Sequence, residues 1–545
     1  MSKEPSFDSS RSPVLATRGM VASSQPLATQ AGVSILMRGG TAADAAVATA
    51  AALNVTEPTS TGIGGDMFAL YFDSKTNQVT ALNGSGRAPA DLTIERVRRD
   101  GLIDTLKSEI QNPFHAHTVT VPGACAGWCD LIAQHGSLPL NQILAPAIRL
   151  AEEGFPVMPL TAHFWNRGGE RQLSLDNRGL DLLIDGRGPH PGELFRNPKL
   201  ARTFRIVAEG GQDAFYNGEI GHKIVDVIQK FGGVMTADDL AAHTSTWDEP
   251  ISATYRGLRV WECPPNGQGL AALMALNLLE GFDLAALDPL SPERLHLIIE
   301  ALRVAFADTR WYVADPAFNP APLAQLLSKE YAAQRRALIQ RDRATTDTKH
   351  GSPVAGSDTV YFCVVDGQGN ACSFINSNYW GFGTGLMPEG CGFTLQNRGH
   401  NFSLDANHPN ALAPRKRPYH TLIPGMLTRA DGSLYGPFGV MGGFMQPQGH
   451  AQVVIGMIDD GLDPQAALNR LRVCLEPGEA NGGVALETGI PSTTVSRLTE
   501  LGHRVATVSG WGRALFGRGQ IIRRDPNGVL WGGSDPRADG CAFGF

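Results

Sequence analysis

Thr359 stands at an abrupt boundary. The polar run "RDRATTDTKHGSPVAGSD" (341–358) precedes it, and "TVYFCVVD" (359–366), apolar almost throughout, begins with it. A hydroxyl is a weak nucleophile without a base beside it. One economical source of that base is the residue's own α-amine, freed by cutting the chain just before it. An α-amine titrates at about 8, near the pH at which it would have to move a proton. Such a device needs a loose segment ahead of the nucleophile and a buried strand to hold it, and both are present here. A β-branched residue that merely opens a strand is the competing reading.

A nucleophile of this kind also needs donors for the developing oxyanion. Gly442–Gly443, in "GVMGGFMQPQGHAQVV" (439–454), could turn two backbone N–H groups toward it. A plain turn before a helix is the competing reading. Other chemistries lack their residues. "TGIGGD" (61–66) follows a helix-like stretch and precedes a strand-like one, the wrong order for a dinucleotide loop. No Gly-Lys-Ser/Thr, Gly-x-Ser-x-Gly or His-Glu-x-x-His occurs, and the 14 His are dispersed, so neither a metal nor a cofactor is expected.

The elements that must position these residues can be read from pattern. Pro26 opens a helix closed by Gly39–Gly40, and Thr41 with Asp44 forms a capping-box-like start to an Ala-rich second helix. "DMFALYFD" (66–73) and "QVTALNG" (78–84) read as strands. "GQGN" (367–370) reads as a hairpin turn joining "TVYFCVVD" to "ACSFIN". Two helices are expected within 123–153, one over 294–308, and others starting near 446 and at Asp463–Pro464. Residues 341–358 read as an exposed linker.

With 545 residues the chain is too long for one ordinary core. A charge of −7 without a basic run argues against nucleic acid. No apolar stretch approaches the roughly 20 residues a membrane span needs. The polar start "MSKEPSFDSSRSPV" lacks an apolar signal region. Eight Cys without a CxxC pair suit a reducing compartment, so a cytoplasmic protein is expected.

Residues 20–66, "DTVYFCVVDGQGNACSF" (358–374), "GVMGG" (439–443) and "GGSDPR" (532–537) resemble, in order, the signature blocks of the γ-glutamyltransferase family. The resemblance implies an α+β, N-terminal-nucleophile αββα four-layer sandwich with an additional helical lobe. It implies self-cleavage between Asp358 and Thr359. The products would be a large chain, 1–358, and a small chain, 359–545, intertwined in one catalytic unit, with a higher oligomer possible. Thr359 would attack a small-molecule amide. Ser377 falls where the family keeps a hydroxyl bonded to the nucleophile, and Gly442 and Gly443 match its oxyanion pair.

The departures bear on substrate. Counted without gaps from Thr359, the family's glutamate-binding Asn, Gln and Asp places hold Tyr379, Arg398 and Asn401. Its Ser-Ser pair appears as His420–Thr421. The place of its early Arg falls near Ser85, with Arg87 two residues away. Asp to Asn removes a partner for an α-ammonium, and Gln to Arg adds a cation that attracts carboxylate. The pocket is therefore expected to favour a carboxylate-bearing acyl group without a free α-amine, as in the acylase and oxamate-amidohydrolase branch. A γ-glutamyltransferase or glutathione hydrolase with a rearranged pocket is the alternative. A non-catalytic scaffold is a third reading, disfavoured by the retention of Thr359, Ser377 and the Gly-Gly pair.

Overall fold

The computed structural model describes residues 11–104, 107–345, 359–476 and 481–545, with Asn177 described in its backbone alone. Two seven-stranded antiparallel sheets form its centre. The order of the first is 14–16, 530–534, 518–524, 434–441, 425–428, 258–262 and 251–255. The second runs 541–544, 20–23, 360–365, 371–377, 66–73, 78–84 and 246–248. Residues from both ends of the sequence meet in each sheet, so a large and a small chain divided at Thr359 would share both sheets.

The strand Val360–Val365 shows why its sequence lacks polar alternation. Tyr361, Cys363 and Val365 point between the sheets, where they meet Met426, Met441 and Ile522. Val360, Phe362 and Val364 point the other way, into a core shared with the outer helices. Side chains alternate faces, and here both faces are covered. Gly439 lets the sheets approach, since a Cβ there would sit 2.5 Å from the Tyr361 ring.

Helix Ala42–Thr56 lies on the outer face of this strand and is buried along its whole length. Thr41 and Asp44 form the expected capping box, a feature worth about 1 kcal/mol. Asp366 in the hairpin turn accepts from the Ala42 N–H at 3.0 Å, which places a carboxylate at the positive end of the helix. The same carboxyl group receives the Gln368 and Asn370 N–H groups, and Gly369 takes φ +86°. The hairpin and the helix thus hold the strand after Thr359 in one register.

Helices Leu140–Glu153, Pro198–Tyr216 and Glu219–Lys230 make the additional helical lobe. They share one continuous core with the layer over the second sheet. Helices Gly269–Leu279, Pro292–Tyr312 and Met445–Ile458 cover the first sheet. The whole is the expected four-layer αββα sandwich. Residues 341–345 lack regular structure and are partly exposed, while 346–358, including Asp358, lie outside the described residues. All eight cysteines are free, six of them buried. No helix among the described residues is long and apolar enough to cross a membrane.

Candidate active site

Thr359 is fully buried at the head of its strand. The hairpin register pairs Val360 with Asn376, which brings Thr359 beside Ser377 on the neighbouring strand. Their hydroxyl oxygens lie 3.1 Å apart. Ser377 Oγ also accepts the Tyr379 N–H at 2.8 Å. Tyr379 adopts φ +76°, an uncommon conformation for a bulky side chain. The turn sends its ring into the interior, where the phenol donates to Asn401 Oδ1 at 2.5 Å. Asn401 in turn donates to the Tyr419 carbonyl.

Arg398 lies over the Tyr379 ring, its guanidinium 4.5 Å from the ring centre. It is fully buried, and its Nη1 donates to Thr421 Oγ1 at 2.8 Å. Nε and Nη2 have no hydrogen-bond partner among the described residues. The nearest carboxylate is Asp66, 3.8 Å from Nε. Asp66 is otherwise engaged: it accepts from Gly86 N–H and Gln396 Nε2, and it lies 3.1 Å from His420 Nε2. The Leu422 N–H donates to His420 Nδ1, so Nε2 carries the proton given to Asp66. Burial, with Arg398 and Arg417 nearby, pushes the His420 pKa far down, and the ring is neutral. Burial also lowers Arg398 to about 10, where it stays charged.

Asp66 is pushed up to about 6, chiefly by burial, against the opposing pull of Arg398 and the Gly86 and Gly123 N–H groups. Between pH 4 and 6 the folded chain therefore holds a proton that the unfolded chain has released. Asp66 costs stability as pH rises through that window. Asp66→Asn, which does not titrate, should gain up to about 3 kcal/mol relative to wild type between pH 4 and pH 7. Urea unfolding of both proteins across this range reads the difference, and a flat difference would refute it.

Arg87 is not brought into this group. It is half-buried, with Nη1 on the Thr244 carbonyl at 3.2 Å, because the chain at Ser85–Gly86 turns its side chain outward. The inner place is taken by Arg417, whose Nε donates to the Ser85 carbonyl at 3.0 Å. Thr359, Ser377, Tyr379, Arg398, Asn401, His420 and Thr421 do form one connected set of contacts.

Gly442 and Gly443 follow the strand Leu434–Met441 and take φ +130° and +59°, a region other residues rarely adopt. The Gly442 carbonyl accepts the Met445 N–H, while that of Gly443 accepts from Gln446 N–H and Gln268 Nε2. A trans peptide sets C=O and N–H on opposite sides. The Gly443 N–H therefore faces away from the helix that its neighbour's carbonyl caps. Gly442 lines a cavity of about 620 Å³.

The glycines of "TGIGGD" are explained by close packing. A Cβ on Gly65 would lie 2.3 Å from the Ser377 carbonyl, and one on Gly64 equally close to that of Thr394. Asn376 Nδ2 holds the same turn through the Gly62 carbonyl. The turn buttresses the end of the Ser377 strand and delivers Asp66 to Arg398. Sequence reasoning missed Asp66, and an acid opening the otherwise apolar "DMFALYF" was the available signal.

The family model described as gamma-glutamyltranspeptidase matches residues 28–545. The chain belongs to the gamma-glutamyltranspeptidase family. It is an enzyme of the N-terminal-nucleophile amidohydrolase and acyltransferase type. Among family members, it is 38% identical to the glutathione hydrolase-like YwrD proenzyme of Bacillus subtilis, over 98% of this chain and 99% of the relative. It is 33% identical to the oxamate amidohydrolase proenzyme of Klebsiella pneumoniae, over 97% and 99%. The crystal structure of cephalosporin acylase from Bacillus halodurans superposes with TM-score 0.91 at 47% identity, over 100% of this chain and 98% of that one.

Proposed function

We propose that this chain is a self-processing N-terminal-threonine amidohydrolase that acts on a small amide whose acyl part carries a carboxylate. Cleavage between Asp358 and Thr359 frees the Thr359 α-amine. That amine takes the hydroxyl proton as Oγ1 attacks the amide carbon, and the tetrahedral oxyanion faces the Gly442–Gly443 pair. The C–N bond then breaks, the α-amine protonates the leaving nitrogen, and the acyl group remains on Oγ1 as an ester. Water attacks that ester and returns the proton, which regenerates Thr359.

The observation that carries the reading is Arg398: a fully buried guanidinium with Nε and Nη2 uncommitted, separated from Ser377 only by Tyr379. A buried cation with unused donors is costly, and a bidentate carboxylate satisfies both at once. Asn401 is a neutral amide and offers no charge to an α-ammonium, and its oxygen already accepts from the Tyr379 phenol. Relatives named for oxamate and for cephalosporin share this chemistry of amide plus carboxylate.

One observation favours the second reading, a γ-glutamyl hydrolase. Asp66 puts a carboxylate beside Arg398, and an amino-acid head group would use both signs. Parallel assays of the processed enzyme decide between them. Ammonia release from oxamate, or amine release from glutaryl amides, should exceed release from γ-glutamyl 4-nitroanilide by at least about tenfold in kcat/KM. The reverse order would establish the second reading.

A further inference from the structure

Arg398 and its anchor Thr421 lie on one part of the chain, and Gly442 and Gly443 on another. One side chain touches both. Gln268 is fully buried at the start of the helix Gly269–Leu279, in the part of the sequence before Thr359. Its Nε2 donates to the Thr421 carbonyl at 2.9 Å and to the Gly443 carbonyl at 2.8 Å. Its Oε1 accepts from the Tyr419 phenol at 3.0 Å. Carbonyls accept and cannot donate, so the reversed amide would set Oε1 against two oxygens. The carboxamide therefore has one satisfied orientation.

Each of these contacts leads to a different part of the site. Thr421 Oγ1 accepts from Arg398 Nη1, and the Tyr419 carbonyl accepts from Asn401 Nδ2. Gly443 lacks a side chain to restrain it, and its carbonyl is held by Gln268 and the Gln446 N–H. The Met445 N–H holds the Gly442 carbonyl. Together these bonds fix both peptide planes around Gly443, and with them the direction of its N–H. The backbone carrying Gln268 is matched to the segment it supports. The Gln268 N–H donates to the His420 carbonyl at 3.0 Å, and the His420 N–H to the Asn266 carbonyl at 2.8 Å. Asn266 Nδ2 donates to the Pro418 carbonyl at 2.8 Å. Residues 266–268 and 418–421 thus run together, and the Gln268 carboxamide reaches from them across to Gly443. Inside the protein each of its bonds is costly to break, because a buried group is left unsatisfied.

We propose that Gln268 is a positioning residue that sets the span between the Gly442–Gly443 pair and Arg398, and so selects the length of the acyl chain. An acyl group held by its carboxylate at Arg398 brings its carbonyl to Gly443 when the number of carbons between them matches that span. An error of one C–C bond is enough to lose the alignment. Gln268 acts through Thr421 and Gly443 and touches no substrate atom. The inference rests on the proposed function for the carboxylate at Arg398.

The 4-nitroanilides of oxalic, malonic, succinic and glutaric half-acids keep one leaving group and vary the acyl length alone. With the processed enzyme the best length should exceed the poorest by at least about tenfold in kcat/KM. Gln268→Met keeps most of the side chain's bulk and loses all three hydrogen bonds. In that variant the ratio should shrink at least about fivefold, with rates referred to the processed fraction on a denaturing gel. Gln268→Glu adds a readout that packing alone does not move. Its carboxylate would face two carbonyl oxygens, whereas its protonated form donates to one of them. Burial raises the pKa of such a group, so activity relative to wild type should rise reversibly, roughly fivefold, from about pH 8 to about pH 6. One sample is read at every pH, so a difference in folding or cleavage cannot imitate the change. A wild type without a length preference, a preference unchanged in Gln268→Met, or a pH-independent ratio for Gln268→Glu overturns the inference. Turnover of γ-glutamyl 4-nitroanilide and of none of the half-anilides would overturn the proposed function instead. The ratio of γ-glutamyl to β-aspartyl anilide, one carbon apart, would then judge Gln268 in the same variants.

Discussion

Thr359→Ala should remain a single 58.2 kDa chain on prolonged incubation, while wild type separates into chains of 358 and 187 residues on a denaturing gel. Amide hydrolysis by the variant should fall by roughly four orders of magnitude or more, because no other group occupies the nucleophile's place. The alanine loses only the hydroxyl and a methyl group, so the buried strand keeps its packing on both faces. Near-native thermal stability would separate this loss from unfolding. Thr359→Ser keeps the oxygen and should still be cleaved. Ser377→Ala removes the hydroxyl 3.1 Å from Thr359 Oγ1 and the acceptor of the Tyr379 N–H, and should slow both steps about tenfold. A Thr359→Ala protein that still divided or still hydrolysed amides would end the assignment of this residue.

Arg398→Gln should lower kcat/KM for carboxylate-bearing amides by roughly 30- to 1000-fold, the equivalent of about 2–4 kcal/mol for a buried, bidentate, charge-assisted contact. The loss should be confined to acyl groups that bear the carboxylate. A neutral acyl amide, turned over slowly by both proteins, serves as the control. The substitution also removes the cation that opposes burial at Asp66, so that carboxyl group should hold its proton to still higher pH. Arg398→Lys keeps the charge and loses the fork, and should fall between glutamine and wild type. Equal loss for charged and neutral acyl groups would mean that Arg398 only supports Tyr379 and Thr421, and the carboxylate would have to bind elsewhere.

Legibility in the sequence followed the range of the interactions. The capping box at Thr41–Asp44, the strands 66–73 and 78–84, and the hairpin at Gly369 rest on contacts within a few residues, and their patterns are local. Helix Met445–Ile458 and the Asp463 cap were legible for the same reason. Arg87 was not. Whether an arginine two places from a reference position faces a pocket depends on the turn at Ser85–Gly86, where a Cβ on Gly86 would lie 1.6 Å from the Val121 carbonyl. Asp66 was missed because its partners, Arg398 and His420, are more than three hundred residues away in sequence.

The sequence by itself determined the family and the layered fold, because both are written in ordered blocks, and a local change of polarity is what suggests the boundary at Thr359. It also placed Ser377, Tyr379, Arg398 and Asn401 at a countable distance from Thr359. Tertiary structure alone decided which of these meet, that Arg398 is buried with donors to spare, and that Asp66 is its counter-charge. It alone revealed a cavity lined by Gly442 together with Arg167, Arg171 and Trp511. The reason is geometric: charge and hydroxyl are properties of residues, whereas burial and enclosure belong to surfaces that meet only when segments far apart in the chain fold together.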